Sequence, residues 1–206
     1  MWYVQLDERT LKRLGKSVRQ KEITGFDLTR NSFRGGQGAR FAIDVLKHNR
    51  SVAEFCWEDN SFHSTDDACK LVEVVLEHPT ISNLLLKGSL NEITVPYIPV
   101  KRLFGGVGNA TLLRVNLYNN GIKTNGDRSI PEFLSTNPPL EYLDLDENRL
   151  TDDDALHIAQ ALQSNTNLRY LDLHDNALTE EGKRDAYRLS VFGLNHSDLT
   201  GVVAHW

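Results

Sequence analysis

Apolar and polar positions recur along the chain in a phrase of nine residues. Its first, fourth and sixth positions are apolar, and its ninth is usually asparagine. The clearest copies are residues 140–148 and 168–176. All six copies start at Ile23, Val52, Ile81, Leu112, Leu140 and Leu168. A period of about 30 residues is typical of a solenoid, in which each unit buries its apolar face only by stacking on neighbouring units.

The ninth position predicts a turn that is stabilised by a buried polar side chain. It is held by Asn31, Asn60, Ser89, Asn120, Asn148 and Asn176. An asparagine amide both donates and accepts hydrogen bonds, so it can satisfy backbone groups that the turn leaves unpaired. Ser89 has only a hydroxyl group and should do this in part.

Each phrase predicts a short strand, and the text after it predicts a helix. Alternation at the fourth and sixth positions is typical of a half-buried strand. The sixth position is leucine except for Trp57, which requires a wider coil or smaller neighbours. Apolar residues at helical spacing follow, as in Ala155–Leu162. Thr151, which precedes three aspartates, is a predicted N-cap.

We expect one repeat domain over residues 1–206, closed at both ends. Residues 1–22 carry a helical stripe without a strand phrase, which predicts an N-terminal cap helix. The repeats then span 23–189. Residues 190–206 contain apolar positions but no asparagine phrase, so they are interpreted as a C-terminal cap or tail of undefined form.

The stretch between Ser89 and Leu112 is the least regular. Pro96 and Pro99 forbid an ordinary helix start there. A short helix beginning at Pro99 remains open, because proline is tolerated at the first helical position.

The phrases at 140–148 and 168–176, with the helical text after them, resemble the ribonuclease-inhibitor type of leucine-rich repeat. The resemblance covers about residues 10–190. It implies an α/β solenoid shaped as a right-handed horseshoe, with parallel strands on the concave face, helices on the convex face, and protein bound on the concave side. Ribonuclease inhibitors, Ran GTPase-activating proteins, tropomodulins and nucleotide-binding immune receptors use such repeats. Length and organisation look somewhat more like tropomodulin, without a motif that supports it.

Composition narrows the class of function. The net charge is −5, from 23 Lys and Arg against 28 Asp and Glu, which disfavours a nucleic-acid binder. Two cysteines, Cys56 and Cys69, form no disulfide framework and indicate a reducing compartment. Neither a signal peptide nor a membrane-spanning run is recognisable. We therefore expect a cytoplasmic or nuclear protein that does not contact membranes.

Candidate binding residues lie at the variable positions of the phrase. The third, fifth, seventh and eighth positions should face the concave side. Tyrosine and carboxylate side chains gather there in the C-terminal units, where rings supply contact area and carboxylates attract a basic partner. The predicted partner-binding residues are Tyr118, Tyr142, Asp144, Asp146, Tyr170, Asp172 and His174. The same text is also common in such repeats without a known ligand.

The main hypothesis is a non-catalytic module that binds a protein partner and needs no cofactor. A site for a divalent cation among the aspartates is disfavoured, because no loop has the spacing of ligands that such a site needs. Acid–base catalysis by paired carboxylates lacks a water-excluding pocket. One alternative is a structural subunit of a larger assembly that uses the convex helices or residues 96–106. Another is a regulator of an enzyme such as a GTPase, with candidate arginines at Arg30, Arg114 and Arg149. The oligomeric state stays open.

Overall fold

Strands and helices alternate through the whole described chain. A computed structural model describes residues 7–19, 21–31, 33, 35–106, 111–192 and 203–205. The strands are β1 (Gly25–Asp27), β2 (Glu54–Cys56), β3 (Asn83–Leu85), β4 (Arg114–Asn116), β5 (Tyr142–Asp144), β6 (Tyr170–Asp172) and β7 (Val203–His205). The helices are α1 (Glu8–Val18), α2 (Gln37–His48), α3 (Thr65–Leu76), α4 (Tyr97–Gly105), α5 (Ser129–Ser135), α6 (Asp152–Leu162) and α7 (Glu180–Phe192). A helix with the length and apolarity needed to cross a bilayer does not occur among these residues.

The strands form one parallel sheet in sequence order, from β1 to β7. The third position of each phrase pairs with the third position of the next, as Gly25 does with Glu54 and Tyr142 with Tyr170. We call the six units that start at the predicted positions coils 1 to 6. Their constant register confirms the predicted α/β solenoid.

The sheet has a buried side and an accessible side. In β1 to β6 the middle residue is buried, while most of the flanking residues keep contact with solvent. Neighbouring strands lie about 4.8 Å apart, whereas packed helices need about 8–10 Å. The stack therefore fans out toward the helices, and the strand side is concave. We call this strand side, which carries the third and fifth positions of each phrase, the open face.

Buried asparagines join successive coils, as predicted. The Asn120 side chain is fully buried. Its Oδ1 accepts from the backbone N–H groups of Ser89 and Leu90, at 2.8 and 2.9 Å. Its Nδ2 donates to the carbonyl oxygens of Leu86 and Leu117, at 2.8 and 2.9 Å. One side chain thus satisfies four backbone groups in two coils.

Ser89 fills the same place with fewer bonds. Its hydroxyl donates to the carbonyl oxygens of Trp57 and Lys87. A hydroxyl group reproduces the donor half of the asparagine role, which agrees with the partial function expected of it.

The eighth position of the phrase has a left-handed backbone in every coil. The sequence did not predict this conformation. The φ angles run from 47° to 62° at Arg30, Asp59, Gly88, Asn119, Glu147 and Asp175. Glycine, asparagine and aspartate adopt this conformation readily. Arginine and glutamate adopt it less readily. Because Arg30 and Glu147 occupy two of the six positions, the residue types alone do not indicate a left-handed turn.

Coil 2 is built around Trp57, which is fully buried. Its ring stacks between Phe33 and Phe62, with centroid distances of 5.4 and 5.2 Å. Its Nε1 donates to the carbonyl oxygen of Asn60 at 2.9 Å. Two aromatic neighbours therefore surround the tryptophan, so the idea of smaller neighbours was wrong.

The irregular stretch does contain a helix. Helix α4 begins at Tyr97, directly after Pro96, two residues before the expected start. Pro99 lies in its first turn, where a backbone N–H has no intrahelical acceptor. The Tyr97 hydroxyl donates to Asp127 at 2.8 Å, and Lys101 forms an ion pair with the same carboxylate. These bonds attach α4 to the loop of coil 4.

The described chain adds one element beyond the phrases at each end. Helix α1 lies inside the predicted cap 1–22 and buries Leu11; residues 1–6 lie outside the described residues. Strand β7 pairs with β6, with His205 opposite Asp172. This seventh strand was not predicted, because residues 190–206 lack the asparagine phrase.

Candidate functional site

A row of stacked side chains crosses the open face of coils 4 to 6. Tyr142 and Tyr170 hold the third position of their phrases, at the start of β5 and β6, and their rings stack with a centroid distance of 4.4 Å and an interplanar angle of 3°. Arg114 holds the same phrase position at the start of β4, and its guanidinium carbon lies 4.8 Å from the Tyr142 ring centroid. One ring thus has a cation on one side and a second ring on the other. We call these three residues the aromatic row.

Arg114 was named in the sequence analysis only as a candidate regulatory arginine. Its register with Tyr142 and Tyr170 is the signal that would have placed it in the binding set. His205 extends the row at its other end, with its ring 5.6 Å from Tyr170 and 5.3 Å from His174. His205 could not be found from the sequence, because β7 itself was not predicted.

Asp144 lies below the row and is 9% exposed. Its Oδ2 accepts from Asn116 Nδ2 at 2.7 Å, and its Oδ1 accepts from the N–H of Asp146 at 3.1 Å. The Tyr142 hydroxyl lies 3.4 Å from Oδ2. Burial raises the pKa of Asp144, although the bond from Asp146 opposes this, and the charge of Asp172 raises it further.

Asp172 has the same local geometry one coil later. It accepts from the Tyr170 hydroxyl at 2.7 Å and from the N–H of His174 at 3.1 Å. The His174 Nδ1 lies 3.0 Å from the same carboxylate. The hydrogen bond to Asp172 raises the pKa of Tyr170. Asp144 and Asp172 therefore close Asx-type turns at the strand ends in addition to charging the face.

Tyr118 and Asp146 lie at the seventh positions, just past the strand ends. The Tyr118 hydroxyl donates to Glu147, and this bond raises the pKa of Tyr118 to about 12. The Lys87 Nζ lies 5.3 Å from the Tyr118 ring centroid. All seven predicted residues thus lie on or beside the open face of coils 4 to 6. Glu147 of coil 5 and Lys87 of coil 3 both contact Tyr118, and neither belongs to the predicted set.

A depression of about 220 Å³ lies beside the aromatic row. Arg114 and Tyr142 form one wall, and Glu54 forms part of the opposite wall. Leu85 contributes to the lining at a fifth position, where coils 4 to 6 carry asparagine or aspartate. The open face therefore offers a partly apolar recess next to its rings.

Within the described ranges, no three His, Cys, Asp or Glu side chains gather as a metal site requires. The carboxylates of Asp144 and Asp172 accept hydrogen bonds from neighbouring side chains and backbone. The groups on this face are tyrosine rings, the guanidinium group of Arg114, the imidazoles of His174 and His205, and carboxylate oxygens.

The match to one sequence family supports the repeat assignment. Residues 136–159 and 164–182 match the sequence model of a family described as "Leucine Rich repeat". These segments contain β5, β6 and the first eight residues of α6. A search of curated proteins gives no match. Among solved structures, the chain is similar to "Leiomodin-1 Actin-Binding Site 2 (ABS2)", with 16% identity, a TM-score of 0.43, and coverage of 91% of this chain and 90% of that chain.

Proposed function

Since the fold is a leucine-rich-repeat solenoid, we propose that the chain is a non-catalytic interaction module that binds a partner protein on the open face of coils 4 to 6. The aromatic row is the observation that carries this proposal. Tyrosine and arginine are enriched among the residues that dominate the energetics of protein interfaces, and a tyrosine ring buries a large area while losing little conformational entropy. In this chain the row is held rigid by stacking before any partner arrives.

The recess beside the row supplies the second element of an interface. A recess bordered by Arg114 and Tyr142 fits an apolar or aromatic side chain of the partner, the usual form of an energetic anchor. Leu85 provides apolar contact within this recess. Glu54 and Arg114 can fix the orientation of the partner's side chain through polar contacts.

The charge of coils 5 and 6 favours a partner with a basic surface. Burial raises the pKa of Asp146. The hydrogen bond from the backbone N–H of Glu147 opposes this, while the charges of Asp172 and Asp144 raise the pKa further. A cationic group of the partner would relieve this repulsion between carboxylates. Complementary charge mainly accelerates association and selects the partner.

We also infer that the repeats are of the ribonuclease-inhibitor type, because each connection from β1 to β6 contains an α-helix. The alternative of a GTPase regulator requires an available arginine. Arg30 forms an ion pair with Asp59 at 2.9 Å, and Arg114 stacks on Tyr142. Two of the three candidate arginines therefore already contact side chains of this chain, which favours the binding module.

The proposal is tested by affinity purification from the native cell with quantitative mass spectrometry. The double variant Tyr142→Ala with Tyr170→Ala should lose the specific partner, with recovery falling about tenfold or more, since each hot-spot ring contributes about 1–2 kcal/mol. Recovery of the partner by each single variant should lie between that of the double variant and that of the wild type. Tyr187→Ala is the matched control, because Tyr187 is exposed on α7.

Circular dichroism and urea unfolding should show that all these variants remain folded. If the double variant recovers the same partners as Tyr187→Ala, the row is not the binding site. Asp146→Asn with Asp175→Asn tests the charge separately. This variant should slow association and weaken its salt dependence; unchanged kinetics would contradict a basic partner.

A further inference from the structure

The mild negative net charge conceals a strongly basic end. Residues 1–50 contain 11 Lys and Arg against 5 Asp and Glu, whereas the other 156 residues contain 12 against 23. The first segment therefore has a net charge of +6 and the remainder −11. Much of this excess belongs to α1 and α2.

Helix α1 arranges its cations as a stripe. Arg9, Lys12, Arg13 and Lys16 recur at i, i+3, i+4 and i+7, which places them on one side of the helix. Arg19, the C-cap residue, continues the same side. We call these five residues the basic stripe.

The stripe borders a groove between α1 and α2, with a volume of about 790 Å³. Arg40 of α2 adds a further cation to its lining, and Leu11 and Phe41 contribute its apolar part. A Cβ atom added to Gly15 would lie 3.5 Å from the Phe41 ring, so the two helices approach closely at this glycine.

The cations outnumber the acids that could neutralise them. Lys12 pairs with Glu8 at 2.8 Å, and Arg19 pairs with Asp44 of α2. No ion pair within the described chain engages Arg9, Arg13 or Lys16. Among the described residues, these three cations along one edge of the groove therefore have no ion-pair partner.

We propose that this groove binds an acidic peptide segment of a partner protein, with its carboxylates on the basic stripe and apolar side chains over Leu11 and Phe41. An eleven-residue helix is about 16 Å long, which matches about five residues of an extended peptide. A concave groove fits an inserted peptide better than a flat membrane. Phe41 is the single aromatic residue among those that line the groove, so the groove lacks the row of rings on which successive nucleic-acid bases stack.

This surface is independent of the open face of coils 4 to 6 and has the opposite charge. It lies between the first two helices, and it would accept a segment that the carboxylates of coils 5 and 6 repel. Tyr142→Ala with Tyr170→Ala should therefore leave binding at the groove unchanged.

Fluorescence anisotropy with a fluorescein-labelled peptide of alternating Glu and Leu tests the proposal. The variant Arg9→Glu, Arg13→Glu, Lys16→Glu should weaken binding about tenfold or more, because charge pairs become repulsions. The control variant Lys123→Glu, Arg128→Glu, Arg169→Glu makes the same change in net charge at exposed positions outside α1 and α2. It should bind within about twofold of wild type once both are measured at about 0.15 M salt.

A second peptide with Ser in place of Leu should bind more weakly than the Glu–Leu peptide, because it loses the apolar contacts. Equal weakening by the two triple variants would overturn the proposal, since net charge alone would then govern binding. Stripe-dependent binding of phosphatidylserine vesicles or of single-stranded DNA that exceeds peptide binding would also overturn it. So would stripe-dependent self-association in sedimentation velocity, in which the acidic end of a second copy occupies the groove.

Discussion

The two ends of the solenoid share one backbone frame and carry opposite surfaces. Coils 1 and 2 place Gly25 and Glu54 at the third position, and the helix α1 that packs against α2 of coil 1 is rich in Lys and Arg. Coils 5 and 6 place Tyr142 and Tyr170 at the same position, above an aspartate ladder. The strand register is identical at both ends. The buried positions therefore specify the fold, while the accessible positions are free to specify different partners.

The fifth position shows how the same residue type acquires different properties at the two ends. Asp27 and Asp144 both accept from the backbone N–H two residues later. The pKa of Asp27 is lowered: burial opposes this, but the hydroxyl and N–H of Thr29 outweigh it. The pKa of Asp144 is raised, since it is more deeply buried and faces Asp172.

The largest expected effect comes from breaking the shared frame. Asn148 bonds the N–H groups of Asn120 and Ile122 and the carbonyl oxygens of Leu117 and Leu145, at 2.9–3.1 Å. Asn148→Ala should destabilise the protein by about 4 kcal/mol, because several buried backbone groups lose their partners.

Asn60→Ala tests the same frame at the basic end. Asn60 accepts from the N–H of Asn31 at 2.7 Å and donates to the Leu28 carbonyl. We expect a loss of about 2–3 kcal/mol in urea unfolding. A loss below about 1 kcal/mol at either site would show that the ladder is not the common frame.

Trp57→Leu tests whether coil 2 depends on its own packing. Leucine is the residue at this position in the other coils, yet here it would leave a cavity between Phe33 and Phe62. The expected loss is about 2–3 kcal/mol by urea unfolding. The reciprocal change Leu145→Trp should cost about 1–3 kcal/mol through overpacking. If Trp57→Leu were neutral, the two ends would have interchangeable cores.

The two aspartates should give titration midpoints on opposite sides of the ordinary value. Carboxyl ¹³C NMR should place the pKa of Asp27 below the ordinary aspartate value of 3.8 and the pKa of Asp144 above it. By linkage, the contribution of Asp27 to stability is present above its unfolded pKa and is lost as the pH falls through its folded pKa. Ionisation of Asp144 instead lowers stability as the pH rises from its unfolded pKa to its folded pKa. Equal midpoints would contradict the difference in burial.

The smallest effect concerns the left-handed eighth position. Arg30 and Glu147 have φ angles of 55° and 51°. Replacing either with Asn should relieve backbone strain and stabilise the protein by about 0.5 kcal/mol, after subtracting the lost side-chain contacts. Thermal unfolding of the two variants checks this. Destabilisation by more than about 1 kcal/mol would mean that the ion pair or hydrogen bond of the native side chain outweighs the strain.

The sequence was sufficient for features that follow from periodicity. The register of six strands and the stacking of Tyr142 on Tyr170 both come from the spacing of the phrases. The asparagine ladder could be predicted because an amide is the group that a buried turn needs. Helix α4 was only partly predicted. Pro99 is tolerated anywhere in a first turn, so it is compatible with a start at Tyr97 as well as with the expected start at Pro99.

Other features escaped because they depend on neighbours in space or on local averages. Arg114 was overlooked as a binding residue, although its third position in the phrase already aligned it with Tyr142 and Tyr170. The left-handed turn was obscured by Arg30 and Glu147. Strand β7 lacks the phrase and could not be predicted. The basic stripe was overlooked because the net charge of the whole chain averages two opposite ends.

Amide hydrogen exchange of the chain with its native partner, compared with the free chain, tests the central claim most directly. If the open face of coils 4 to 6 binds the partner, protection should concentrate in 114–119, 142–148 and 170–176. Protection confined to helices α3 to α6 or to residues 96–106, with these three segments unchanged, would contradict the account. It would favour a structural subunit that is held by its convex side.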